Sequence, residues 1–438
     1  MSSSRRTFIR KIGELTGAAS LASLLGPGLG RQLEEAFSYA KQRSAAELAT
    51  DEEFWSRIRM AYTVSPTVIN FNNGGVSPQP LVVQQAVERY NRLSNEAPTL
   101  YMWRHLERGR EALRDKLAAL AGCSGEEVAI NRNASEALET VIFGLKLKVG
   151  DEVILSRQGY PNMINAWKQR EMRDGIVLHW LDLEFPMEDN DLIVRRYAEA
   201  VSERTKVAHL THVINWTGQV MPVRQIADAL KKRGVEILVD GAHSFAQLDF
   251  KIPDLNCDYF GTSLHKWLCA PFGSGMLYVR QGKAKDLYPL FAAPKPDSDD
   301  IRKFENLGTR SFAIEHAIAQ AIEFHNMIGI ERKQKRLFYL KNYWVQKAKK
   351  SIPGFRLHTS YKPAFSCAIA LFSIDGYTSK QIANYIFREY SIHSVPINWA
   401  NLDGVRITPN VYTLTYDLDR LLAALESFVQ NTKPNEGG

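Results

Sequence analysis

The sequence lacks a long apolar run, although 45% of its 438 residues are hydrophobic. A membrane-spanning helix needs about 20 apolar residues in succession, so no stable membrane span is predicted. The sequence also lacks a G-x-G-x-x-G turn after any predicted strand, which argues against a nicotinamide-binding fold. Its four cysteines show neither a C-x-x-C pair nor metal-ligand spacing, so we expect buried free thiols and no metal site.

Charge of one sign is not concentrated anywhere beyond the N-terminus. The formal net charge is +7, and part of that excess lies in the first thirty residues. The remainder is spread over the rest of the chain, whereas nucleic-acid-binding surfaces need a basic patch or stripe. We therefore predict no nucleic-acid partner.

The N-terminus carries an export pattern. Residues 4–11 read SRRTFIRK, in which Arg5 and Arg6 are followed by an aromatic and an aliphatic residue, as in twin-arginine signals. A weakly apolar stretch rich in Ala, Ser and Gly follows at 15–29. We predict a signal segment over residues 1–30 and a periplasmic or other extracytoplasmic location. The alternative is an ordinary basic N-terminus, and no clean small-x-small site shows where the segment would be removed.

The length suggests one large α/β domain with a smaller partner. After the signal segment we predict an N-terminal arm (31–80), a large domain (81–310) and a small C-terminal domain (311–438). Within the arm, residues 31–60 have the pattern of a charged amphipathic helix.

Short apolar runs alternate with helical segments in the large domain. The predicted strands are 126–133, 151–156, 176–183, 205–213, 235–240, 257–263 and 273–280, and the predicted helices between the earlier ones are 134–146, 161–174, 189–202 and 222–233. This alternation predicts a mostly parallel, seven-stranded sheet flanked by helices. Asn133 is a plausible N-cap for the first helix. Because ligands of such sheets bind at the carboxyl ends of strands, Asp240 is a candidate site residue.

After residue 310 the pattern changes to that of an α+β domain. A long helical region is predicted at 312–351, and the segments that follow are a strand at 365–374, a helix at 378–390, strands at 392–397 and 404–408, and a helix at 416–430.

Two motifs in the large domain carry the chemical signal. Residues 239–243 read VDGAH, and residues 263–267 read SLHKW. A strand that ends in Asp-Gly-Ala-His and is followed at this distance by Ser-x-His-Lys resembles the class V aminotransferases. These are fold-type-I pyridoxal-phosphate (PLP) transferases, a group that includes cysteine desulfurases and isopenicillin-N-epimerase-like proteins. The matching runs extend over roughly residues 70–415.

The resemblance implies a PLP cofactor and a role for each motif residue. Lys266 would bind PLP covalently, as a Schiff base, and later move protons at the substrate Cα. Asp240 would pair with the pyridine nitrogen. Ser263 and His265 would bind the phosphate from the loop that carries the lysine.

Other residues match further positions of the family's cofactor site. Ala134 and Ser135 stand at a predicted helix N-terminus, which suits a phosphate. Tyr160 would stack on the ring. Asn215 and His243 would lie beside the phenolic oxygen of the cofactor. For Ser135 a simple helix cap is the alternative, and for Tyr160 a place in the core.

Three matches concern the substrate and a second subunit. Arg406, in the run VRITP at 405–409, would grip the substrate carboxylate. Asn73, in FNNGG at 71–75, would contact the substrate, with a Gly-rich turn as the alternative. Thr309 would reach the phosphate of the neighbouring subunit, which implies a homodimer with composite sites; its alternative is a helix cap.

The sequence departs from the desulfurase pattern in one place. Residues 394–403, ahead of Arg406, contain no cysteine, and Cys269 is wrongly placed to be the nucleophile. The resemblance is therefore to the epimerase-like proteins, a name that covers several reactions. We expect chemistry at the Cα or amino group of an amino acid or peptidyl amine, and we favour aminotransferase-type chemistry. Epimerisation, C–S or β-elimination, oxidative decarboxylation and a non-catalytic PLP-binding sensor stay open.

Overall fold

The computed structural model describes residues 27–399 and 402–434. The twin-arginine pattern and the rest of residues 1–26 lie outside the described residues, as do 400–401 and 435–438. The described chain forms a seven-stranded sheet, a four-stranded sheet and a two-stranded sheet that pairs a segment before the large sheet with one in the C-terminal region.

The strands of the large sheet match the predicted apolar runs closely, whereas the short strands Ile69–Asn70 and Phe355–Leu357 match no predicted run, and the predicted strand at 392–397 is divided in two at Ser394. The described strands are β1 (Ile69–Asn70), β2 (Val128–Asn131), β3 (Glu152–Ser156), β4 (Val177–Leu181), β5 (Thr205–Thr211), β6 (Glu236–Asp240), β7 (Tyr259–Ser263), β8 (Gly275–Val279), β9 (Phe355–Leu357), β10 (Ala370–Ile374), β11 (Ile392–His393), β12 (Val395–Trp399) and β13 (Leu402–Ile407).

The large sheet has the order β2-β8-β7-β6-β5-β3-β4. Strands β7, β6, β5, β3 and β4 run parallel to one another, and β8 is antiparallel to both β2 and β7. Strands β2, β3, β7 and β8 are buried at every position, as in a sheet with helices on both faces. The predicted mostly parallel, helix-flanked sheet is confirmed.

Helices flank this sheet and make up much of the remaining described chain. The α-helices are Pro27–Ala40, Ala45–Ala49, Glu52–Arg59, Leu81–Glu96, Pro98–Leu100, Glu107–Ala121, Ala134–Gly144, Pro161–Asp174, Asn190–Glu199, Val223–Lys231, Phe312–Ile328, Ile330–Ser351, Ser379–Tyr390 and Thr415–Asn431. Asn133 caps the helix Ala134–Gly144 by accepting a hydrogen bond from the backbone N–H of Glu136. The predicted N-cap is thereby confirmed.

Both of the long regions predicted to be helical are helical, and each is divided into separate helices. The arm at 31–60 is three helices, because Ser44 and Asp51 each cap a new helix start with their side chains. The region 312–351 is two helices, because Gly329 has a φ of 83° and interrupts the first before the second begins.

The smaller sheet is antiparallel, in the order β12-β13-β10-β9. Strand β1 pairs in parallel with β11, which ties residues 69–70 to the C-terminal region. Asn72 continues this pairing through a bridge to Thr408. The segment after β1 is therefore held against β13, which carries Arg406.

Among the described residues, neither a helix suited to cross a membrane nor a metal-binding cluster is found. None of the helices described combines the length and apolar character that a membrane crossing requires. Within the same residues, no group of three His, Cys, Asp or Glu side chains is placed to hold a metal ion. The four cysteines are free; Cys123 is partly exposed, and the others are buried.

Candidate active site

A cavity of about 380 Å³ lies at the carboxyl edge of the large sheet. Thr211, Asp240 and Ser263 each end a strand and line it. The other lining residues are Gly74, Gly75, Val76, Asn133, Ala134, Ser135, Leu138, Tyr160, Met163, Val213, Asn215, Ala242, His243, His265, Lys266 and Arg406. All the predicted site residues except Asn73 and Thr309 therefore surround one cavity, at the edge where open α/β sheets bind ligands.

Lys266 follows β7 and projects into the cavity. Its Nζ lies 3.2 Å from Nε2 of His243 and 5.8 Å from the centre of the Tyr160 ring. Burial lowers the pKa of the Lys266 ammonium to about 8; the negative charge of Asp240 opposes this shift, and the positive charge of Arg406 adds to it. A lysine with a lowered pKa supplies a neutral amine, which is the form that reacts with carbonyl groups.

Asp240 is buried and ends β6. One carboxylate oxygen accepts a hydrogen bond from the backbone N–H of Ala242 at 2.9 Å. Burial raises the pKa of Asp240, and the Ala242 N–H and the charge of Lys266 act in the opposite direction. A buried carboxylate of this kind is stabilised by a cationic partner in the cavity, such as a protonated ring nitrogen.

His243 is buried beside Lys266, on the loop that follows Asp240. Its Nδ1 accepts a hydrogen bond from the indole N–H of Trp267 at 3.3 Å. Burial holds the pKa of His243 well below its usual value, and the positive charges of Lys266 and Arg406 lower it further. The imidazole is therefore neutral at physiological pH.

The other end of the cavity suits an anion. The helix Ala134–Gly144 begins there. Oγ of Ser263 accepts a hydrogen bond from the backbone N–H of Ala134 at 2.9 Å, so the Ser263 hydroxyl proton stays free to be donated to another acceptor. Nδ1 of His265 donates to the carbonyl of Ser274 at 3.0 Å, which leaves Nε2 as the second polar atom of that ring. A helix N-terminus with flanking hydroxyl and imidazole groups is a typical phosphate site.

Arg406, on β13, closes the side opposite the large sheet. Its two terminal nitrogens donate to the carbonyl of Asn215 and to Oδ1 of Asn72, each at 2.9 Å. Its Nε is buried and has no hydrogen-bond partner in the described chain. Burial lowers the pKa of Arg406 to about 10. This guanidinium thus keeps donor capacity, as a carboxylate-binding arginine requires.

Asn215 and Tyr160 line the cavity between these two ends. Oδ1 of Asn215 is buried and unpaired within the described chain, so its amide is available to a ligand in the cavity. Tyr160 is 39% exposed and is the N-cap residue of the helix Pro161–Asp174, which does not support the alternative of a core tyrosine.

Asn73 and Thr309 are placed elsewhere. The Asn73 side chain is fully buried, donates to the carbonyl of Thr408 at 2.8 Å and accepts from the hydroxyl of Tyr412 at 2.6 Å. These hydrogen bonds tie Asn73 to the segment that follows β13 and occupy its side chain, so the structure gives no support for a substrate contact. Thr309 lies on an exposed loop outside the cavity, and Ser311 is the residue that caps the following helix.

Sequence reasoning missed three residues at this site. Thr211 ends β5 at the same edge as Asp240, a position that the strand pattern could have indicated. Asn72 orients Arg406, but the sequence does not say which of two adjacent asparagines faces it. Trp267 directly follows Lys266, yet its contact with His243 depends on how the loop folds back.

Gly241, between Asp240 and Ala242, has a steric role that can be tested. A Cβ at this position would lie 1.8 Å from Cζ of Phe260. We expect Gly241→Ala to lower the free energy of unfolding by about 1–3 kcal/mol, as overpacking does. Urea unfolding would measure this, with Gly28→Ala as the control because nothing lies within 4 Å of its Cβ. An unchanged stability in Gly241→Ala would contradict the packing.

The residues fit PLP. A reactive buried lysine, a buried carboxylate with one oxygen uncommitted, an unpaired asparagine amide and an anion-binding helix N-terminus surround one space. Each corresponds to a distinct part of that cofactor: the aldehyde, the pyridine nitrogen, the phenolic oxygen and the phosphate.

Comparison with known proteins supports this assignment. The family model described as "Aminotransferase class-V" matches residues 69–394. The chain is 26% identical to isopenicillin N epimerase of Streptomyces clavuligerus over 391 residues, which cover 85% of this chain and 98% of that protein. It is 25% identical to a probable cysteine desulfurase of Synechocystis sp. over 339 residues, covering 73% of this chain and 79% of that protein.

A solved structure shows the same fold. It is a C-DES variant with glycine covalently linked to its PLP cofactor, with a TM-score of 0.76 and 21% identity, and the match covers 84% of this chain and 99% of that chain.

Proposed function

Because the chain belongs to the class V aminotransferase family of PLP-dependent enzymes, we propose that it acts at the Cα of an amino acid or peptidyl amine by aminotransferase-type chemistry. PLP supplies an electron-accepting ring when bound. The observation that carries the proposal is the placement of the Lys266 amine in the same cavity as the Arg406 guanidinium, whose Nε has no hydrogen-bond partner in the described chain. Arg406 would hold the substrate carboxylate while Lys266 takes and returns the Cα proton.

Persulfide chemistry of the kind that cysteine desulfurases use has less support than aminotransferase-type chemistry. Persulfide chemistry needs a cysteine that reaches the substrate, and none of the four cysteines lines the cavity. Cys269 is buried, and its Sγ accepts a hydrogen bond from Nδ2 of Asn410 at 3.6 Å. The part of the hairpin before Arg406 that the structure describes, 394–399 and 402–403, also contains no cysteine.

Epimerisation is the second candidate. It is favoured by the likeness to isopenicillin N epimerase, which extends over 98% of that protein. Both reactions begin with removal of the Cα proton, so the same residues serve either one. They differ in where the proton returns.

One experiment separates these reactions. The purified holo-protein would be incubated in D₂O with a panel of amino acids and no amino acceptor. Our proposal predicts a 2-oxo acid in amounts equal to the enzyme. Recovery of the opposite enantiomer with deuterium at Cα and no oxo acid would favour epimerisation. Elimination products or O₂ consumption would indicate the lyase or oxidative alternatives, and no change with any amino acid would overturn the enzymatic proposal in favour of a sensor.

Arg406 gives a prediction about the substrate. We expect Arg406→Ala to raise KM for α-carboxylate substrates by about 10–100-fold, because a charge-assisted, bidentate contact is lost. Steady-state kinetics would measure this, and an amine substrate without a carboxylate is the control, since its KM should not change. Equal effects on both substrates would mean that Arg406 does not bind the carboxylate.

We propose that the enzyme is exported. The support is the twin-arginine pattern at Arg5 and Arg6. A reporter fused after residue 60 should reach the periplasm in a bacterial host, and Arg5→Lys with Arg6→Lys should retain it in the cytoplasm. A reporter exported equally well by both versions would overturn this assignment.

We also propose a homodimer with composite sites. The support is the exposed position of Thr309, outside its own cavity, and the exposed apolar side chains of Phe272 and Phe291. Co-expression of Lys266→Ala with Thr309→Ala chains should restore about a quarter of wild-type activity, because about half of randomly assembled dimers are mixed and each mixed dimer has one intact site. A monomer in sedimentation at micromolar concentration would overturn the proposal.

A further inference from the structure

Three side chains form a hydrogen-bonded chain that ends on the amine of Lys266. The indole Nε1 of Trp267 lies 3.3 Å from Nδ1 of His243, and Nε2 of His243 lies 3.2 Å from Nζ of Lys266. Trp267 is fully buried and His243 is 5% exposed, so the contact between these two side chains is shielded from water. Trp267 does not line the cavity itself; it acts from behind His243.

The chemistry of the three groups fixes the direction of this chain. An indole N–H can only donate a hydrogen bond, so Nδ1 of His243 must accept. A neutral imidazole carries one proton, which must then sit on Nε2. This N–H points at Lys266, whose neutral amine accepts a hydrogen bond and whose ammonium cannot.

The opposite tautomer is disfavoured by the same contacts. With the proton on Nδ1, two N–H groups would face each other, and the buried indole N–H of Trp267 would lose its partner. Both residues are also anchored through their backbones: Lys333 donates to the carbonyl of Trp267, and Gln247 donates to that of His243. The ring and the indole therefore have little room to separate.

We propose that Trp267 is a positioning residue: its indole N–H holds His243 in the Nε2-protonated tautomer, which favours the neutral, reactive amine of Lys266. The consequence for cofactor binding rests on the proposed function. The tautomer itself does not, because it is a property of the protein alone.

Other charged and titratable groups face Lys266 and must be considered. Asp240 favours the ammonium, and Arg406 favours the amine. His265 also faces Lys266: burial lowers the pKa of His265, and the positive charge of Lys266 lowers it further. The ring of Tyr160 lies 5.8 Å from Nζ of Lys266. These groups are unchanged in a Trp267→Phe protein, so a difference between that protein and wild type reports on the indole N–H.

The first test reads the tautomer in the protein without cofactor. Nitrogen NMR of protein labelled with ¹⁵N-histidine distinguishes protonated from unprotonated ring nitrogens, and His243→Gln assigns the signal. We expect His243 to be protonated on Nε2 in wild type, and Trp267→Phe to lose that preference. Nδ1 protonation in wild type would overturn the proposal even if the variant failed to fold.

The chain offers a matched control. Trp167 donates its indole N–H to Nδ1 of His209 at 2.8 Å, and both residues are buried. His209 is not among the residues that line the cavity. Trp167→Phe should therefore release the tautomer of His209 without changing His243. A change at His243 in that variant would mean that loss of packing, and not loss of the N–H, is responsible.

The second test reads Lys266 through the pH dependence of its condensation with PLP. In wild type the rate should rise through pH about 8, where the amine becomes neutral. In Trp267→Phe the midpoint should move upward by about one pH unit, because the ammonium no longer faces a fixed donor. In a His243→Gln background, Trp267→Phe should produce no shift, since a glutamine amide has no tautomers.

The outcomes separate the inference from the proposed function. If the protein condenses with PLP but the midpoint is the same with and without Trp267, the inference is overturned and the function stands. If PLP fails to condense at any pH, the proposed function is overturned, and the NMR tautomer still decides the role of Trp267.

Discussion

Lys266→Ala should lower kcat by roughly 1,000-fold or more, because it removes both the covalent anchor of the cofactor and the base at the substrate Cα. Burial lowers the pKa of the Lys266 ammonium to about 8, so its amine can act as a base near neutral pH, and His243, at 3.2 Å from this amine, is kept neutral by burial. No neighbouring group described at the site is therefore prepared to take over the role of the amine. Single-turnover measurements with a substrate from the amino-acid panel would quantify the loss.

Lys341 is the appropriate control for this variant. Burial lowers the pKa of its ammonium to about 8 as well, but it bonds to Ser366 Oγ at 3.0 Å and to the carbonyl of Ser360, away from the cavity. Lys341→Met should keep kcat within a few-fold of wild type, whatever it does to stability. Equal losses in the two variants would mean that buried lysines matter for folding and not for chemistry.

Asp240→Asn should lower kcat by about 100–1,000-fold. The carboxylate would hold a proton on the pyridine nitrogen, and loss of a buried charge-assisted hydrogen bond costs about 3–4 kcal/mol of transition-state stabilisation. The amide that replaces it is similar in size and can keep the contact with the N–H of Ala242, so the fold should persist. The expected signature is a lower kcat with nearly unchanged KM.

Asp258 is a matched buried carboxylate outside the cavity. It pairs with Lys231 at 2.7 Å and accepts the backbone N–H of Ile237 at 2.9 Å. Asp258→Asn should lower the free energy of unfolding without the kcat loss of Asp240→Asn. If Asp240→Asn retained wild-type kcat, the carboxylate would have no role at the cofactor ring.

The strand pattern predicts the large sheet well because the strands are short, strongly apolar and buried on both faces. The run Glu236–Asp240 is one example, with four of its five residues buried. The antiparallel insertion of β8 between β2 and β7 is not encoded in any local pattern, since apolar periodicity does not tell strand direction. The apolar pattern also does not show where a helix is interrupted by a single capping residue or glycine, as happens at Ser44 and Gly329.

The structure brings together the residues that the two motifs place at strand ends or directly after them. Asp240, Ser263, His265 and Lys266 follow strand ends that meet at one edge, so their proximity follows from the sheet. Asn73 shows where this reasoning stops. It is next to Asn72, and only the bridge between Asn72 and Thr408 decides which of the two side chains turns toward Arg406 and which is buried.

Trp267 illustrates a contact that the sequence conceals for another reason. Its neighbour Lys266 points into the cavity, while the indole packs behind His243, from a different loop. Nothing in the run SLHKW distinguishes this from an ordinary core tryptophan. Its role emerges only when the donor and acceptor atoms of three side chains are considered together.

The central claim, that Lys266 binds PLP in this cavity, is tested most directly on the wild-type protein. Borohydride reduction of the holo-protein, followed by proteolysis and mass spectrometry, maps the attached cofactor to one peptide. The account predicts the added mass on the peptide that contains Lys266, and none on Lys333 or Lys341, which are also buried and have lowered pKa values of about 8. Label on either of those lysines, or on no peptide, would contradict it.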